Sequence, residues 1–376
     1  MRQRPPHEPS RIFRNPNKLW DNATLHAPAL GCPSCMEFGP CKGVHTDAGV
    51  FDCKDLCSCR DKSKCDMVCR FNPALFIARM KEVRGLSFDN APRVPANGAP
   101  VLPTVIPFID HRYGRASALK EPVVALSLYE VVNMATGKLH CETPKALSDR
   151  FLIPDEARIV LSGVDQDNLI ERWWELSNRN EILSGLQRLG VTLVTSPNYS
   201  VLSDVPRTDN LHAMKRILLA WTEMARAGLA SALHVNGRTE QDYFRWGKLI
   251  AERDEIENLA FEFATGCGQA ERIDWHIEQL CQLADRVPRR LTLSIRGGGR
   301  MITRLSQHFG QVSLIETEGF NRTMYRKKAH LLEPGRIKWS SFPTAIGAPL
   351  DDLLTHNIST IRAYYDGQAG IAKLLK

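Results

Sequence analysis

The sequence predicts an α/β protein, a (β/α)8 TIM-like barrel preceded by a cysteine-rich metal-binding module. Three observations carry this expectation. Eight short apolar runs recur between residues 104 and 316, amphipathic helix-like segments separate the later ones, and eight of the eleven cysteines crowd into residues 32–69. Continuous apolar strands alternating with helices are what a parallel sheet covered by helices requires. Eight of them fit a closed barrel.

Taken in order, residues 1–30 carry five prolines and little periodicity, and read as an extended arm. Residues 31–90 form the cysteine module, with helical spacing of apolar residues in Ala74–Val83. The Pro/Gly/Ala-rich stretch 91–103 (APRVPANGAPVLP) marks a linker. The barrel follows over 100–340, with strand runs at 104–109, 123–129, 158–162, 191–195, 231–235, 258–263, 291–295 and 312–316. Helix-like segments fall at 167–189, 209–227, 239–253, 271–286 and 300–309. Pro107 interrupts the first run and no clear helix separates it from the second, so a doubly wound open sheet is the alternative architecture. Residues 341–376 are a C-terminal tail with one helix-like stretch.

Of the 376 residues, 43% are hydrophobic, enough to bury a core, and 24% are charged, ordinary for a soluble protein. No apolar run approaches the ~18 residues needed to cross a bilayer. The start, Met1-Arg-Gln-Arg-Pro-Pro, lacks the apolar stretch of a secretory signal. The expectation is a cytoplasmic protein without a membrane partner. The net charge is +7, and its placement is uneven: Arg286 to Lys338 holds twelve Lys/Arg against three acids. Such asymmetry points to an anionic partner, nucleic acid or a nucleotide.

The cysteine spacing is Cys32-x2-Cys35-x5-Cys41-x11-Cys53-x3-Cys57-x-Cys59-x5-Cys65-x3-Cys69. Pairs two or three residues apart let both thiolates reach one ion from a tight turn. Eight thiolates divide into two four-sulfur sites, a coordination shared by structural zinc and by iron–sulfur clusters. So short and polar a segment cannot bury a core without a metal. His45 reads as a bystander, and the scattered Cys141, Cys267 and Cys281 as small apolar residues.

In a (β/α) barrel, chemistry sits where strands end and loops begin. Those ends carry Asp110, Glu130, Asp165, Glu262 and Glu316, and Asp110, Asp165 and Glu262 are the candidate catalytic carboxylates. The run Arg296-Gly297-Gly298-Gly299-Arg300 follows the seventh expected strand. Glycines there let backbone N–H groups approach an anion, which makes it the candidate phosphate site. Asn198 and Asn236 offer amide groups suited to a base edge, His234 is a further ligand-binding candidate at a strand end, and Asp204 and Arg207 lie in a long polar loop that binds a ligand or caps the next helix. Tyr243, Phe244 and Trp246 suit base stacking, although aromatic spacing on a helix is more often core.

The segments SPNYSVLSDVPRTDNLHAMKR (196–216), ALHVNGRTEQDYFRW (232–246), FEFATG (261–266) and LSIRGGGR (293–300) resemble a bacterial and phage-associated domain family of unknown function, over about residues 150–330. The layout also resembles tRNA-guanine transglycosylases, barrel enzymes that exchange guanine for a 7-deazaguanine base through an aspartate nucleophile. That likeness implies a nucleobase-directed enzyme, with relatives acting on DNA or accompanying antiviral operons. In those enzymes the zinc site follows the barrel, whereas here the cysteines precede it.

Two functions follow. One is a transglycosylase-like enzyme acting on a (deaza)guanine base in nucleic acid or a related conjugate. The other is a catalytically silent protein that binds nucleic acid or a modified partner in a phage-defence or mobile-element setting. A metal-dependent redox protein is a third expectation. Anaerobically purified protein is expected to carry metal filling two four-cysteine sites. Elemental analysis finding less than one metal per chain, with all thiols reactive, would exclude it. Cys35→Ser or Cys65→Ser is expected to unfold the module, because metal binding there supplies folding energy.

Overall fold

The computed structural model describes residues 81–201, 207–264, 270–332 and 336–374. The N-terminal arm and all eight clustered cysteines lie outside the described residues, as do Asp204 and the side chain of Arg207.

The apolar runs become strands of one parallel sheet. β1 (Val105–Pro107) and β2 (Val123–Ser127) follow one another with no helix between them. Ser127 ends β2, because its hydroxyl accepts the Tyr129 N–H at 3.2 Å and caps a short helix, α1 (Leu128–Val131). This turn takes up residues 128 and 129, which the sequence assigns to the strand. β3 (Val132–Asn133) and β4 (Lys138–Leu139) pair as a small antiparallel hairpin, and α2 (Pro144–Phe151) starts from a Thr143 cap.

β5 (Arg158–Ser162) is followed by α3 (Asp167–Glu175) and α4 (Arg179–Arg188), where the sequence leads one to expect a single helix over 167–189. The break has a partner: Arg179 Nη1 donates to the carbonyls of Trp174 and Leu176, each at 2.7 Å, satisfying acceptors at the end of α3. The alternation then continues through β6 (Leu193–Thr195), α5 (Arg207–Arg226), β7 (Ser231–His234), α6 (Glu240–Glu252) and β8 (Asn258–Glu262). It ends with α7 (Ala270–Arg286), β9 (Thr292–Arg296), α8 (Ile302–His308) and β10 (Gln311–Glu316). Beyond it come α9 (Glu318–Met324), the antiparallel pair β11 (Lys327–Leu332) and β12 (Arg336–Ser341), and α10 (Asp351–Leu374).

The eight parallel strands are ordered β1-β10-β9-β8-β7-β6-β5-β2, so each lies beside its predecessor in the chain. The two ends of that order meet. Phe108 bridges Ala125 in parallel, and the Ile109 N–H donates to the Ala125 carbonyl at 2.9 Å. The result is a nearly closed eight-stranded parallel barrel, the architecture the strand count predicts over the open sheet. Its interior alternates large and small residues. Ile106, Val123, Val160, Leu193 and Ile315 pack with Ala125, Ala232 and Ala260. Such alternation fills a barrel without leaving a pore.

By compactness the chain divides into two units. One comprises residues 93–198, 220–234 and 250–376 and contains the whole barrel; the other comprises residues up to 92 with 199–219 and 235–249. In the second unit Tyr243 and Trp246 are fully buried, Trp246 lies 4.4 Å from Phe88, and Phe244 is exposed. Two of the three aromatics weighed for base stacking are therefore core. Lys215 is also buried there, donating to the Ser87 carbonyl and to Asn90 Oδ1. Among the described residues no helix is long and apolar enough to cross a membrane.

Ile106 is fully buried inside the barrel. Ile106→Ala is expected to lower stability by about 2–5 kcal/mol, the cost of lost burial plus a cavity. Urea unfolding of the two proteins measures it; a loss below about 1 kcal/mol would contradict a packed barrel interior.

Candidate functional site at the carboxyl ends of the barrel strands

The first three barrel strands end in carboxylates that interact. Asp165, two residues beyond the Ser162–Gly163 end of β5, accepts the Ser127 hydroxyl on Oδ2 at 2.8 Å and the Gln166 N–H on Oδ1 at 2.8 Å. Both oxygens are thereby fixed in direction. Ser127 itself is buried at the end of β2. Glu130, on α1 just beyond, has its carboxyl raised above the ordinary carboxylate value. Burial is the largest cause, followed by the charge of Asp110. Arg150, 3.8 Å away, opposes, and Asp165 adds to the rise. Asp110, at the end of the β1 segment, and Asp165 thus lie within electrostatic reach of the same third carboxyl.

A second group centres on Arg296, the last residue of β9. Its Nη1 donates to the Val164 carbonyl at 2.6 Å, its Nε lies 3.8 Å from Glu262 Oε2, and its guanidinium sits 5.2 Å over the Phe108 ring. Glu262 also accepts the Ala264 N–H at 2.7 Å. One arginine therefore joins the ends of β9 and β8, the loop after β5 and the residue after β1. Glu262 and Arg296 are engaged with each other, rather than both presented to an incoming ligand.

His234 ends β7 and is buried. Its Nδ1 lies 2.6 Å from the Ser196 carbonyl, which can only accept, so Nδ1 carries the proton and Nε2 is the acceptor of the neutral ring. Burial pushes its pKa down to about 4; the Ser196 bond opposes this and the charge of Arg296 adds to it. Asn198 follows β6, its N–H donating to the Gly163 carbonyl at 3.0 Å. Asn236 stands in the other unit, where its carbonyl accepts the Trp246 indole N–H at 2.8 Å.

The glycine run has a packing reason. Gly297 and Gly298 adopt left-handed φ of +73° and +64°, and a Cβ on them would meet the Ala264 nitrogen at 2.8 Å and Phe263 at 2.7 Å. Gly299 abuts Tyr365 of α10, 2.5 Å from where its Cβ would stand. The loop does follow the seventh barrel strand, as the sequence predicts, and Arg300 beside it is exposed. Among the described residues no group of three or more His, Cys, Asp or Glu side chains is placed to hold a metal ion.

The sequence does not single out Ser127, and it names Glu316 as a strand-end acid without giving it a role. Ser127 has no signature, since a buried serine at a strand end looks like any other. Glu316, the last residue of β10, is buried and accepts the N–H groups of Glu318 and Gly319 at 2.6 and 2.9 Å. Burial drives its pKa up to about 7 against the pull of those two N–H groups. The twelve basic residues of 286–338 are not one surface. Arg289 and Arg290 precede β9, whereas Arg296 ends it and Arg300 follows it, so the two pairs stand at opposite ends of the barrel. Arg289 is spent on the carbonyls of Ile250, Arg253 and Ile256.

Compared with known proteins, the chain matches no family model and no curated protein.

The buried His234 is expected to stay neutral as the Nδ1–H tautomer down to about pH 4. The unfolded chain takes that proton first, near pH 6.5, so this residue's contribution to stability is complete above pH 6.5 and is lost as pH falls toward 4. Long-range proton–nitrogen NMR of the ring checks it; an imidazolium at pH 6 would exclude the arrangement.

Proposed function

We propose that the barrel unit acts on a nucleobase or nucleotide at the carboxyl ends of its strands, exchanging or cleaving the bond between a sugar and a (deaza)guanine base. The observation that carries this reading is the group formed by Asp110, Glu130 and Asp165. One carboxyl is held toward its protonated form beside another whose two oxygens are both oriented by hydrogen bonds. Two carboxyls in unlike environments divide the work of an acid and a nucleophile.

In this reading Asp165 attacks the anomeric carbon and the carbon–nitrogen bond breaks. The departing base nitrogen takes the proton of Glu130. An incoming base then attacks the same carbon, returns its N–H proton to Glu130 and releases Asp165, or water does so and cleavage results. Asp110 maintains the raised affinity of Glu130 for its proton. His234 Nε2 accepts from a base N–H, Asn198 contacts a base edge, and the Gly297–Gly299 loop with Arg300 holds the phosphate. The cysteine module, with zinc or an iron–sulfur cluster, is proposed as a separate structural element of the chain.

A second reading, a barrel that binds nucleic acid without chemistry, is favoured by the mutual engagement of Glu262 and Arg296. One experiment separates the two. Purified protein is incubated with guanine-containing nucleic acid and radiolabelled guanine or a 7-deazaguanine, and incorporation is followed. Asp165→Asn is expected to reduce exchange by at least about 10²–10⁴-fold while nucleic-acid binding stays within about threefold. Glu130→Gln is expected to remove one limb of the pH–rate profile. Exchange that survives Asp165→Asn would exclude this aspartate as nucleophile. Binding without exchange or base release in the parent protein would establish the receptor reading instead.

A further inference from the structure

The antiparallel ribbon of β11 and β12 has two unlike faces. Its register pairs Lys328 with Ser340, His330 with Lys338, and Leu332 with Arg336. Cross-strand partners share a face, so Lys328, His330, Lys338 and Arg336 all stand on one side. The other side carries Lys327, Ala329, Leu331, Ile337, Trp339 and Ser341.

β11 is fastened to α10 through its backbone groups, and Ala329 on the second side is buried. Asn357 accepts the Ala329 N–H at 2.8 Å and donates to the Lys327 carbonyl at 2.8 Å, and His356 Nε2 donates to the Ala329 carbonyl at 2.9 Å. Ala329 is buried, but His330, Leu331 and Leu332 are exposed, so the ribbon projects beyond its anchor. On the free side His330 Nε2 lies 2.7 Å from Ser340 Oγ, and Lys328 sits 5.1 Å over the Phe342 ring. Among the described residues, neither Lys328, Lys338 nor Arg336 makes an ion pair with a carboxylate, whereas nearby Arg322 pairs with Glu318 and Arg362 with Glu121. Among the described residues, three cations on one face of the ribbon thus lack a partner of opposite charge.

We propose that this ribbon docks duplex DNA, with its cationic face in the major groove. The choice of nucleic acid among polyanions rests on the nucleobase-directed reading above, while the surface itself does not. Six residues per strand make a ribbon about 20 Å long, and two strands about 5 Å apart make it narrow. The B-DNA major groove is about 12 Å wide and admits a two-stranded ribbon; the deep, narrow major groove of A-form RNA does not. Lys328, Lys338 and Arg336 meet phosphates, and exposed Leu332 offers an apolar contact to a thymine methyl.

The test uses the full chain, a fluorescent 20-base-pair DNA duplex and anisotropy across a salt series. Lys328→Glu combined with Lys338→Glu is expected to weaken binding at least about tenfold at 0.1 M salt. It should also lower the slope of log affinity against log salt by about 2, near 0.9 for each phosphate contact. The milder Arg336→Gln should lower the slope by about 1. Affinity and slope unchanged in both variants, with circular dichroism like the parent's, would overturn the assignment. So would binding of phosphatidylserine vesicles that depends on these residues while the duplex is not bound. Duplex binding through the ribbon in a protein without base chemistry would overturn the catalytic reading alone. Base chemistry with ribbon-independent duplex binding would overturn this one alone.

Discussion

The hydrogen bond from the Ile109 N–H to the Ala125 carbonyl, with the Phe108–Ala125 bridge beside it, is the constraint on which the rest of the barrel depends. Without it the eight strands form an open sheet whose two edges are β1 and β2. Each edge would present unpaired backbone groups, a liability that closure removes. Closure also brings the end of the first strand beside the ends of the second and third. Asp110 follows β1, so in an open sheet it would lie at the opposite margin from Glu130 and Asp165. In the closed barrel its charge helps raise the Glu130 carboxyl. The edge-to-edge contact thus adds the charge of Asp110 to the burial that is the main cause of the raised Glu130 carboxyl.

Arg296 works across the same opening from the other side. A guanidinium has five donors in a fixed fork, and here they reach the Val164 carbonyl and approach Glu262 while the plane lies over Phe108. Burial chiefly depresses the proton affinity of His234 and keeps that ring neutral at neutral pH, and the charge of the arginine adds to the effect. Next to it, the glycines that read as an anion cradle are required by the chain itself. Two need left-handed φ, and the third leaves room for Tyr365 of α10. Ligand binding by this loop would use a conformation that packing already imposes. Tyr365 in turn lies near Glu316, and each is shifted toward its neutral form mainly by burial.

Charge counted along the chain and charge arranged in space part company at β9. A five-residue strand carries the chain from one end of the barrel to the other, so basic residues close in sequence separate. Arg289 and Arg290 cap carbonyls before the strand, Arg296 braces the opposite end, and Lys327, Lys328, Arg336 and Lys338 lie on the β11–β12 ribbon.

The eight strands, their order along the chain and the helices between the later ones were legible in the residues, because a strand buried on both faces must be apolar throughout. So was the absence of a helix between β1 and β2. The polar residues after each strand were legible as well, since strands end where polar groups begin. The split between α3 and α4 was not, because it depends on Arg179 reaching back to two carbonyls. The β11–β12 ribbon was not legible either, because its alternation is masked by lysines on both faces. Sequence could nominate Asp110, Asp165, Glu262 and Arg296 individually, but not say which act on one another. Pairing Glu262 with Arg296 follows from the register of the adjacent strands β8 and β9, whereas bringing Asp110 to Glu130 and Asp165 requires the barrel to close, and both are set by backbone groups identical in every residue. The side chains determined which segments are strands; only the tertiary structure decided which strand ends share a field.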